Sequence, residues 1–304
     1  MFRKMRRIVK QRYGLFKNKF SKNIGSYPFI SGDTFKQFCA LKIENIKSYE
    51  IVIAQLRSGL YEPTTPVFMS VDFVAKHGES ILGEKLNSNL DIFSTRCLVI
   101  HNGDIKINNK ILHGLSKLFK RLLVVNYDDS LDTQVISAIP IGLENRCYNN
   151  SAYLNYFYNN QNANRNNVKF KNNLIFSCFD INTNRDEREP LSKLIERYNY
   201  LFHGAGLSSS KYLECLANSF FCISPVGNGV DCHRTWEAIY LGCVPVILRG
   251  TLSKELISQL PVLEVCEWRD ILQMPKEDLI VRYKEITKKS KKKAYFDYWS
   301  TQIM

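Results

Sequence analysis

Short apolar runs alternate with amphipathic stretches along most of the chain, and this alternation predicts the fold class. Runs rich in β-branched and aromatic residues that stop at turn residues indicate strands. The segments between them place apolar residues three or four positions apart, as helices do. Strands that alternate with helices form parallel sheets covered on both faces, so we expect an α/β protein. The predicted strands are 27–30, 51–54, 66–71, 96–100, 122–125, 136–141, 174–178, 200–203, 220–223, 244–248 and 262–265.

A stretch rich in asparagine and tyrosine divides this pattern in two. Residues 149–173 lack an apolar period outside Tyr153 to Tyr158, which is typical of a connection between domains. The predicted organisation is a basic amphipathic segment at 1–25, a first α/β domain at 26–150, a linker at 151–172, a second α/β domain at 173–280 and a helical C-terminal segment at 281–304.

One unit, residues 220–248, carries the strongest functional pattern. Its first apolar run reads as a buried strand, and the turn 225–230 follows with two glycines. Glycine lets such a turn adopt positive φ or lie against a ligand without a Cβ in the way. Asp231 is the expected N-cap of the next helix, which Gly242 ends before another strand.

Two charged residues at the start of this helix indicate a nucleotide site. In a parallel sheet the turn and the helix N-terminus lie at the carboxyl edge of the strands, where free N–H groups and the helix dipole favour a phosphate. Arg234 is expected to pair with a diphosphate, and Glu237, on the same helix face, to bind a ribose diol. Arg185 and Arg188 are further phosphate candidates. Exposed arginines and a routine Arg–Glu ion pair are the alternative interpretations.

The motif itself points to a family. Residues 224–246 read SPVGNGVDCHRTWEAIYLGCVPV, and this segment resembles the donor-site motif of exostosin-like glycosyltransferases. The resemblance implies a GT-B fold, with two Rossmann-like domains whose parallel sheets face a central cleft. It implies that residues 26–150 form the acceptor side, that 173–280 bind a nucleotide sugar, and that 281–304 cross back to the first domain. The donor-binding residues predicted in the motif are Ser224, Gly227, Asn228, Gly229, Asp231, His233, Arg234 and Glu237.

The resemblance also implies an inverting transfer, in which an acceptor hydroxyl attacks the anomeric carbon while the nucleoside diphosphate leaves from the opposite face. The hydroxyl must lose its proton to a carboxylate or imidazole at a strand's carboxyl end in the first domain. Asp33, Asp72, His101 and Asp104 have such positions. We favour Asp33 and Asp104, which with Arg234 are the expected catalytic residues.

No metal is expected in this reaction. The chain contains no Asp-x-Asp sequence, so Arg234 and the helix dipole are predicted to take the cation's place at the leaving diphosphate. Cys232 and His233 are adjacent but have no second ligand pair, which argues against zinc. The nine cysteines are scattered without a C-x-x-C pair, which indicates buried thiols in a reducing compartment.

The net charge of +13 is concentrated at the chain ends, since residues 1–32 contain nine Lys or Arg and no acid. Residues 1–20 place their apolar side chains on one helical face, so we expect contact with an anionic membrane surface. A helix packed on the domain is the alternative. The lysines and aromatics of 288–299 resemble a nucleic-acid-binding pattern, but a helical lysine run usually forms a solvated face, and we expect no nucleic acid.

The function predicted first is a metal-independent, inverting glycosyltransferase of surface polysaccharide synthesis. It would move a sugar from a nucleoside diphosphate sugar, with UDP favoured, to a glycan or a lipid-linked glycan. No apolar run reaches the 18 residues of a membrane span, so we expect a soluble or peripheral protein. With the reducing compartment that the cysteines indicate, we expect it in the cytoplasm, where it could bind the inner face of the membrane. The alternatives are a non-catalytic nucleotide-sugar or glycan-binding protein, a fucosyltransferase-like enzyme that uses a GDP-sugar, and a nucleic-acid binder.

Overall fold

A computed structural model describes residues 25–80, 82, 90–131, 133–148, 151–160, 171–198, 201–203 and 206–304. These residues contain two five-stranded sheets in which the strands pair in parallel. The expected α/β class is therefore confirmed. The amphipathic helix predicted at residues 1–20 lies outside the described residues.

The first sheet has its five strands in sequence order across the sheet. They are β1 (Leu41–Ile43), β2 (Val67–Ser70), β3 (Cys97–His101), β4 (Arg121–Val124) and β5 (Ile136–Ala138). The helices of this half are α1 (Gly32–Phe38), α2 (Ile46–Arg57), α3 (Val71–Ser80), α4 (Leu90–Phe93) and α5 (Asn109–Ser116). Helix α6 (Ser151–Asn160) lies in the stretch interpreted above as a linker.

The second sheet contains β6 (Asn173–Ser177), β7 (Leu201–His203), β8 (Ser219–Ile223), β9 (Val244–Leu248) and β10 (Leu263–Val265). Its helices are α7 (Arg185–Ile195), α8 (Ser209–Ala217), α9 (His233–Tyr240), α10 (Lys254–Ile257), α11 (Trp268–Leu272) and α12 (Lys276–Ile286), and α13 (Phe296–Ile303) ends the chain. The strand order is β10-β9-β8-β6-β7. The direction of winding therefore reverses between β6 and β8, which is the topological switch point where α/β sheets bind ligands.

Two strand predictions in the first half are wrong. Residues 51–54 lie inside α2, because one face of this helix is buried and the burial outweighs the local β preference of Ile-Val-Ile. Asn45 and Ser48 form a capping box at its start. Residues 27–30 do not join a sheet, and Phe29 instead forms an isolated antiparallel bridge with Tyr295. The buried residues of α2 recur at helical spacing: Tyr49, Val52, Ile53 and Leu56.

The C-terminal helix covers a face of the first sheet. The strands of the first sheet follow one another in sequence order, and crossovers of the same handedness between them place the connecting helices on one face of the sheet. The opposite face must therefore be covered by other helices. Helices α1 and α13 both pack against β3. Their contact is aromatic, with the Phe296 ring 5.3 Å from Phe35 and 5.2 Å from Phe38. The end of the chain thus crosses back onto the first domain.

Many of the C-terminal lysines and aromatics are used inside the protein. Lys291 Nζ donates to the Ile239 carbonyl at 3.0 Å, and Lys293 Nζ donates to the Glu255 carbonyl. Phe296 and Trp299 are buried. The pattern of basic and aromatic residues in this tail is therefore explained by packing of the tail on both domains.

One hydrophobic core joins the two domains. Buried residues of the first sheet cluster with Trp236 and Ile239 of α9 and with Trp299 of α13. The outer face of the second sheet has a separate core, formed with α7, α11 and α12. Because the shared core is apolar and extensive, it holds the two sheets in a fixed relation. No helix in the described part of the chain combines the length and apolar character needed to cross a membrane.

The Tyr240 hydroxyl joins three parts of the chain within this core. It accepts a hydrogen bond from Ile30 N–H at 3.2 Å and donates one to the Ala294 carbonyl at 2.5 Å. Burial raises the pKa of Tyr240, so the hydroxyl keeps its proton. Helix α9 is thereby tied to the N-terminal segment and the C-terminal tail.

We predict that Tyr240→Phe lowers the free energy of unfolding by about 1–3 kcal/mol, because it leaves a buried N–H and a buried carbonyl without a partner. Urea denaturation measures this difference. Tyr148→Phe is the matched control, since Tyr148 is 77% exposed. Equal unfolding midpoints for the two variants would contradict the prediction.

Candidate active site

A cleft of about 1610 Å³ opens at the carboxyl edges of both sheets. It includes the switch point, since Cys178 and Phe179 follow β6 and the glycine turn follows β8. Two parallel sheets that face one cleft confirm the GT-B-like architecture expected from the sequence. The residues that line the cleft include Gly32, Asp33, Asp72, His101, Asp104 and Glu144 from the first domain, and Phe179, Arg188, Gly227, His233, Arg234 and Glu237 from the second.

Arg234 lies in the first turn of α9 and lines the cleft. Its Nε and Nη1 atoms are buried, and neither has a hydrogen-bond partner among the described residues. Its Cζ atom lies 6.0 Å from the centre of the Phe179 ring. Buried polar groups in proteins are almost always paired, and an unpaired guanidinium is especially costly. Nε and Nη1 are thus two donors that are available to an acceptor in the cleft.

Arg188 lies beside Arg234, but its guanidinium donates hydrogen bonds to backbone carbonyls of the protein. It donates from Nε to the Val226 carbonyl at 2.8 Å, from Nη1 to the Asp180 carbonyl at 2.8 Å and from Nη2 to the Pro225 carbonyl at 3.5 Å. Burial and the positive charge of Arg234 both lower the pKa of Arg188. Its first role is to hold the glycine turn, and its charge adds to the positive field of the cleft.

Arg185 does not line the cleft. Its side chain is exposed and forms an ion pair with Glu189, with 3.1 Å between Nε and Oε2. The two residues are four apart on α7, which is the ordinary spacing of a surface pair. Arg185 is therefore a surface residue in an ion pair, and the prediction that it contacts phosphate is wrong.

The two glycines of the turn are needed for reasons that the sequence does not show. Neither Gly227 nor Gly229 has positive φ. A Cβ on Gly229 would lie 2.9 Å from the side chain of Asn126 and 3.0 Å from the Asp104 carbonyl. A Cβ on Gly227 would lie 3.0 Å from Arg188 Nη2. The glycines allow close approach of the first domain on one side and of Arg188 on the other.

Glu237 is held between two tyrosines. Tyr153 on α6 and Tyr212 on α8 each donate a hydrogen bond of 2.5 Å to its carboxylate, one to each oxygen. Burial and the charge of Glu237 raise the pKa of both hydroxyls, so they remain donors. A carboxylate oxygen accepts two hydrogen bonds, which leaves Glu237 able to accept further bonds from a ligand in the cleft.

Asp231 links the two domains instead of capping α9. Its Oδ2 accepts from Ile141 N–H at 2.8 Å, and both its oxygens accept from Trp236 Nε1 at 2.8 and 2.9 Å. The N-cap of α9 is Cys232, whose side chain makes no capping hydrogen bond. The prediction that Asp231 caps α9 is therefore wrong, because its carboxylate accepts hydrogen bonds from the first-domain backbone and from Trp236 instead. Burial raises the pKa of Asp231 to about 6.

Three other motif residues have defined contacts. Ser224 is buried, with its Oγ 2.9 Å from Thr235 Oγ1, and it lies outside the cleft lining. It joins the end of β8 to α9 instead of contacting a donor. Asn228 donates from Nδ2 to Asp104 Oδ2 at 3.3 Å. His233 donates from Nδ1 to the Gly142 carbonyl at 2.7 Å.

The candidate bases of the first domain all line the cleft, but they differ in what they contact. His101 is buried, donates from Nε2 to the Pro140 carbonyl at 3.0 Å and accepts from Asn102 N–H at 2.7 Å on Nδ1. Burial lowers its pKa to about 4. His101 is thus neutral with its lone pair occupied, and it is a poor base. The carboxylates Asp33, Asp72 and Asp104 remain.

Sequence reasoning did not single out Glu144, Tyr153 or Tyr212. Glu144 lies in the loop after β5. The search for bases at the carboxyl ends of first-domain strands could therefore have found it as well. The tyrosines had no local signal, because their partner Glu237 is distant in sequence. Groups of three or more His, Cys, Asp or Glu able to hold a metal ion do not occur among the residues that the structure describes.

Comparison with solved structures finds distant similarity over most of the chain. The N-terminal domain of trehalose-6-phosphate phosphatase from Candida albicans matches with a TM-score of 0.41 and 10% identity, over 84% of this chain and 72% of that one. The catalytic domain of starch synthase IV from Arabidopsis thaliana, bound to ADP and acarbose, matches with a TM-score of 0.41 and 9% identity, over 90% and 77%.

Comparison with family models is more specific. The model of the exostosin GT47 domain matches residues 127–289, which is more than half of the chain. This range contains the second sheet, the glycine turn and both Arg234 and Glu237. The chain therefore belongs to the exostosin GT47 family and is a glycosyltransferase.

Proposed function

We propose that this glycosyltransferase is an inverting, metal-independent enzyme that takes its sugar from a nucleoside diphosphate sugar, with UDP as the favoured nucleotide. The observation that carries the proposal is the buried guanidinium of Arg234, whose Nε and Nη1 have no partner among the described residues. It lies in the first turn of a helix at the switch point of a parallel sheet, where the dipole also favours a diphosphate.

The positive charge needed by the leaving group comes from the protein in this proposal. As the glycosidic bond breaks, negative charge grows on the diphosphate, and donors fixed in advance stabilise it. Arg234 is aimed into the cleft, Arg188 lies beside it, and the α9 N-terminus adds its dipole. This arrangement supports transfer without a bound metal ion.

Glu237 is the proposed ribose ligand. It lies one turn beyond Arg234 on the same helix, so the diphosphate and the ribose of one nucleotide can contact one helix face. Its two tyrosine partners fix the carboxylate in place, which reduces the entropy lost when the diol binds.

The acceptor approaches from the first domain. In an inverting transfer the hydroxyl attacks from the face opposite to the leaving diphosphate, and its proton passes to a group of the first domain. The carboxylates of Asp33 and Asp104 face the cleft and are the bases proposed from the sequence. The acceptor class we propose is a glycan or a lipid-linked glycan of surface polysaccharide synthesis, reached from the cytoplasm with residues 1–20 on an anionic membrane surface.

We predict that Arg234→Ala weakens UDP binding by roughly 10- to 150-fold, the loss expected for hydrogen bonds to a charged group, and abolishes sugar transfer. The Arg234→Ala variant should not have a lower unfolding temperature without ligand, because Nε and Nη1 make no hydrogen bond to the described part of the protein that the substitution would remove. A thermal-shift titration with UDP, GDP and CMP measures both effects.

Two arginine variants serve as controls for that titration. Arg185→Ala removes the same group from a surface ion pair and should leave UDP binding unchanged. Arg188→Ala removes three hydrogen bonds to carbonyls and should lower the unfolding temperature without ligand. UDP binding by the Arg234 variant equal to that of the unaltered chain would refute the assignment.

We also predict that Glu237→Gln raises the donor KM by roughly 5- to 30-fold, which corresponds to the loss of about 1–2 kcal/mol of hydrogen bonding. The kcat should change much less, since the ribose is remote from the reacting carbon. Steady-state kinetics separate the two constants. Glu214→Gln on α8 is the control, because Glu214 is exposed and pairs with Lys211. An unchanged KM would move the ribose contact elsewhere.

A further inference from the structure

The loop that follows β5 enters the cleft and is fixed on both sides. Ile141 N–H donates to Asp231 Oδ2 at 2.8 Å, and Leu143 N–H donates to the Ile30 carbonyl at 2.7 Å. Gly142 has φ of +72°, and a Cβ there would lie 2.2 Å from the Ile30 carbonyl oxygen. The loop therefore has a backbone conformation that glycine alone fits, and its next side chain has a defined place in the cleft.

That next side chain belongs to Glu144. It lines the cleft with about a third of its surface exposed, and its Oε1 lies 3.5 Å from His233 Nε2. The imidazole is oriented by its other nitrogen, since Nδ1 lies 2.7 Å from the Gly142 carbonyl, which can only accept. Nδ1 thus carries a proton, and Nε2 is the atom that faces the carboxylate.

The position of this pair follows from its neighbours. His233 and Arg234 are consecutive in the first turn of α9. A sugar attached to a diphosphate on Arg234 would therefore start next to His233 and extend toward the first domain. Glu144 comes from that domain and ends 3.5 Å from the imidazole. Its carboxylate therefore lies on the side of the site from which the acceptor is proposed to approach.

Two of the other carboxylates that line the cleft accept hydrogen bonds from the protein. Asp33 Oδ2 accepts from Arg146 N–H at 3.0 Å and holds the end of the same loop. Asp104 Oδ2 accepts from Asn228 Nδ2 at 3.3 Å. Glu144 instead faces an imidazole, a group able to receive a proton or to share one.

We propose that Glu144, and not Asp33 or Asp104, is the general base of the transfer, with His233 as the residue that positions it; this inference rests on the proposed function. The acceptor O–H bond breaks as its proton moves to Glu144. The freed oxygen pair forms the bond to the anomeric carbon, and the bond from that carbon to the phosphate oxygen breaks, its electron pair leaving with the nucleoside diphosphate. The proton then passes to His233 Nε2 or to solvent.

The test uses the full chain and four variants: Glu144→Gln, Asp33→Asn, Asp104→Asn and, as the matched control, Glu79→Gln. Glu79 is an exposed glutamate on α3 outside the cleft, 3.7 Å from Lys110. Release of nucleoside diphosphate from UDP-glucose, UDP-galactose, UDP-N-acetylglucosamine, UDP-glucuronic acid and GDP-fucose is measured with water as the acceptor. UDP and GDP binding is measured on each variant by calorimetry.

We expect Glu144→Gln to reduce the release rate by about 100-fold or more, the usual contribution of a general base, while nucleotide affinity stays within a factor of three. Asp33→Asn and Asp104→Asn should each reduce the rate much less, and Glu79→Gln should match the unaltered chain. In a fifth variant, Glu144→Ala, added formate should restore part of the activity, since a small carboxylate can occupy the vacated space. A structural role for Glu144 would not produce that rescue.

Other results would overturn the proposal in distinguishable ways. Release by Glu144→Gln within threefold of the unaltered chain would exclude Glu144 as the base and leave the proposed function intact. Loss of nucleotide binding in that variant would make it a donor-site residue instead. If the unaltered chain neither binds nor turns over any donor in the panel, the proposed function itself is overturned, and this inference with it.

His233 has its own test, because a positioning residue acts through Glu144. The variant His233→Asn keeps an amide N–H where Nδ1 now donates to the Gly142 carbonyl, but it removes Nε2. We expect kcat to fall with little change in the donor KM, and we expect no added loss when Glu144→Gln is combined with it. Independent, additive losses in the double variant would show that the two residues do not act as one unit.

Discussion

Two buried nitrogens of Arg234, Nε and Nη1, lack a hydrogen-bond partner among the described residues, and the proposed site depends on them. Buried donors without an acceptor are energetically costly, and the shared core holds α9 in place despite this cost. In the proposed function, an anion that binds in the cleft would offset this cost. The same helix places Glu237 one turn away and His233 one residue before. One short helix thus carries the residues proposed to act on the phosphate, the ribose and the reacting carbon.

The cleft keeps its shape because hydrogen bonds connect its two walls. Asn126, which follows β4, accepts from Asp231 N–H at 3.0 Å and donates to the Gly103 and Asp104 carbonyls at 3.2 and 3.3 Å. Asp231 in turn holds the loop of Glu144 through Ile141. The two hydrogen bonds that cross between the domains, Ile141 N–H to Asp231 and Asp231 N–H to Asn126, are buried, where hydrogen bonds are strongest. The two walls of the cleft are therefore held together by these hydrogen bonds as well as by the shared apolar core.

The fold of the second domain could be predicted from its sequence because its strands are apolar, bounded by turn residues and separated by periodic helices. Residues 220–223 and 244–248 fall within β8 and β9, and both Arg234 and Glu237 line the cleft as their helical spacing indicated. The local sequence pattern gave the wrong secondary structure for residues 51–54, where burial of one helix face determines the structure. The need for glycine at 229 and the link from Asp231 to the first domain could not be predicted, because the first-domain partners lie 90 or more residues away in the chain. Which carboxylate takes the proton stays a prediction.

A crystal structure of the full chain with UDP bound tests the central claim most directly. The account predicts diphosphate oxygens about 3 Å from Arg234 Nε and Nη1, at the hydrogen-bond distance of a charge-assisted pair, with the ribose hydroxyls on Glu237. UDP bound elsewhere, or bound in the cleft while Arg234 Nε and Nη1 still lack a partner, would contradict it.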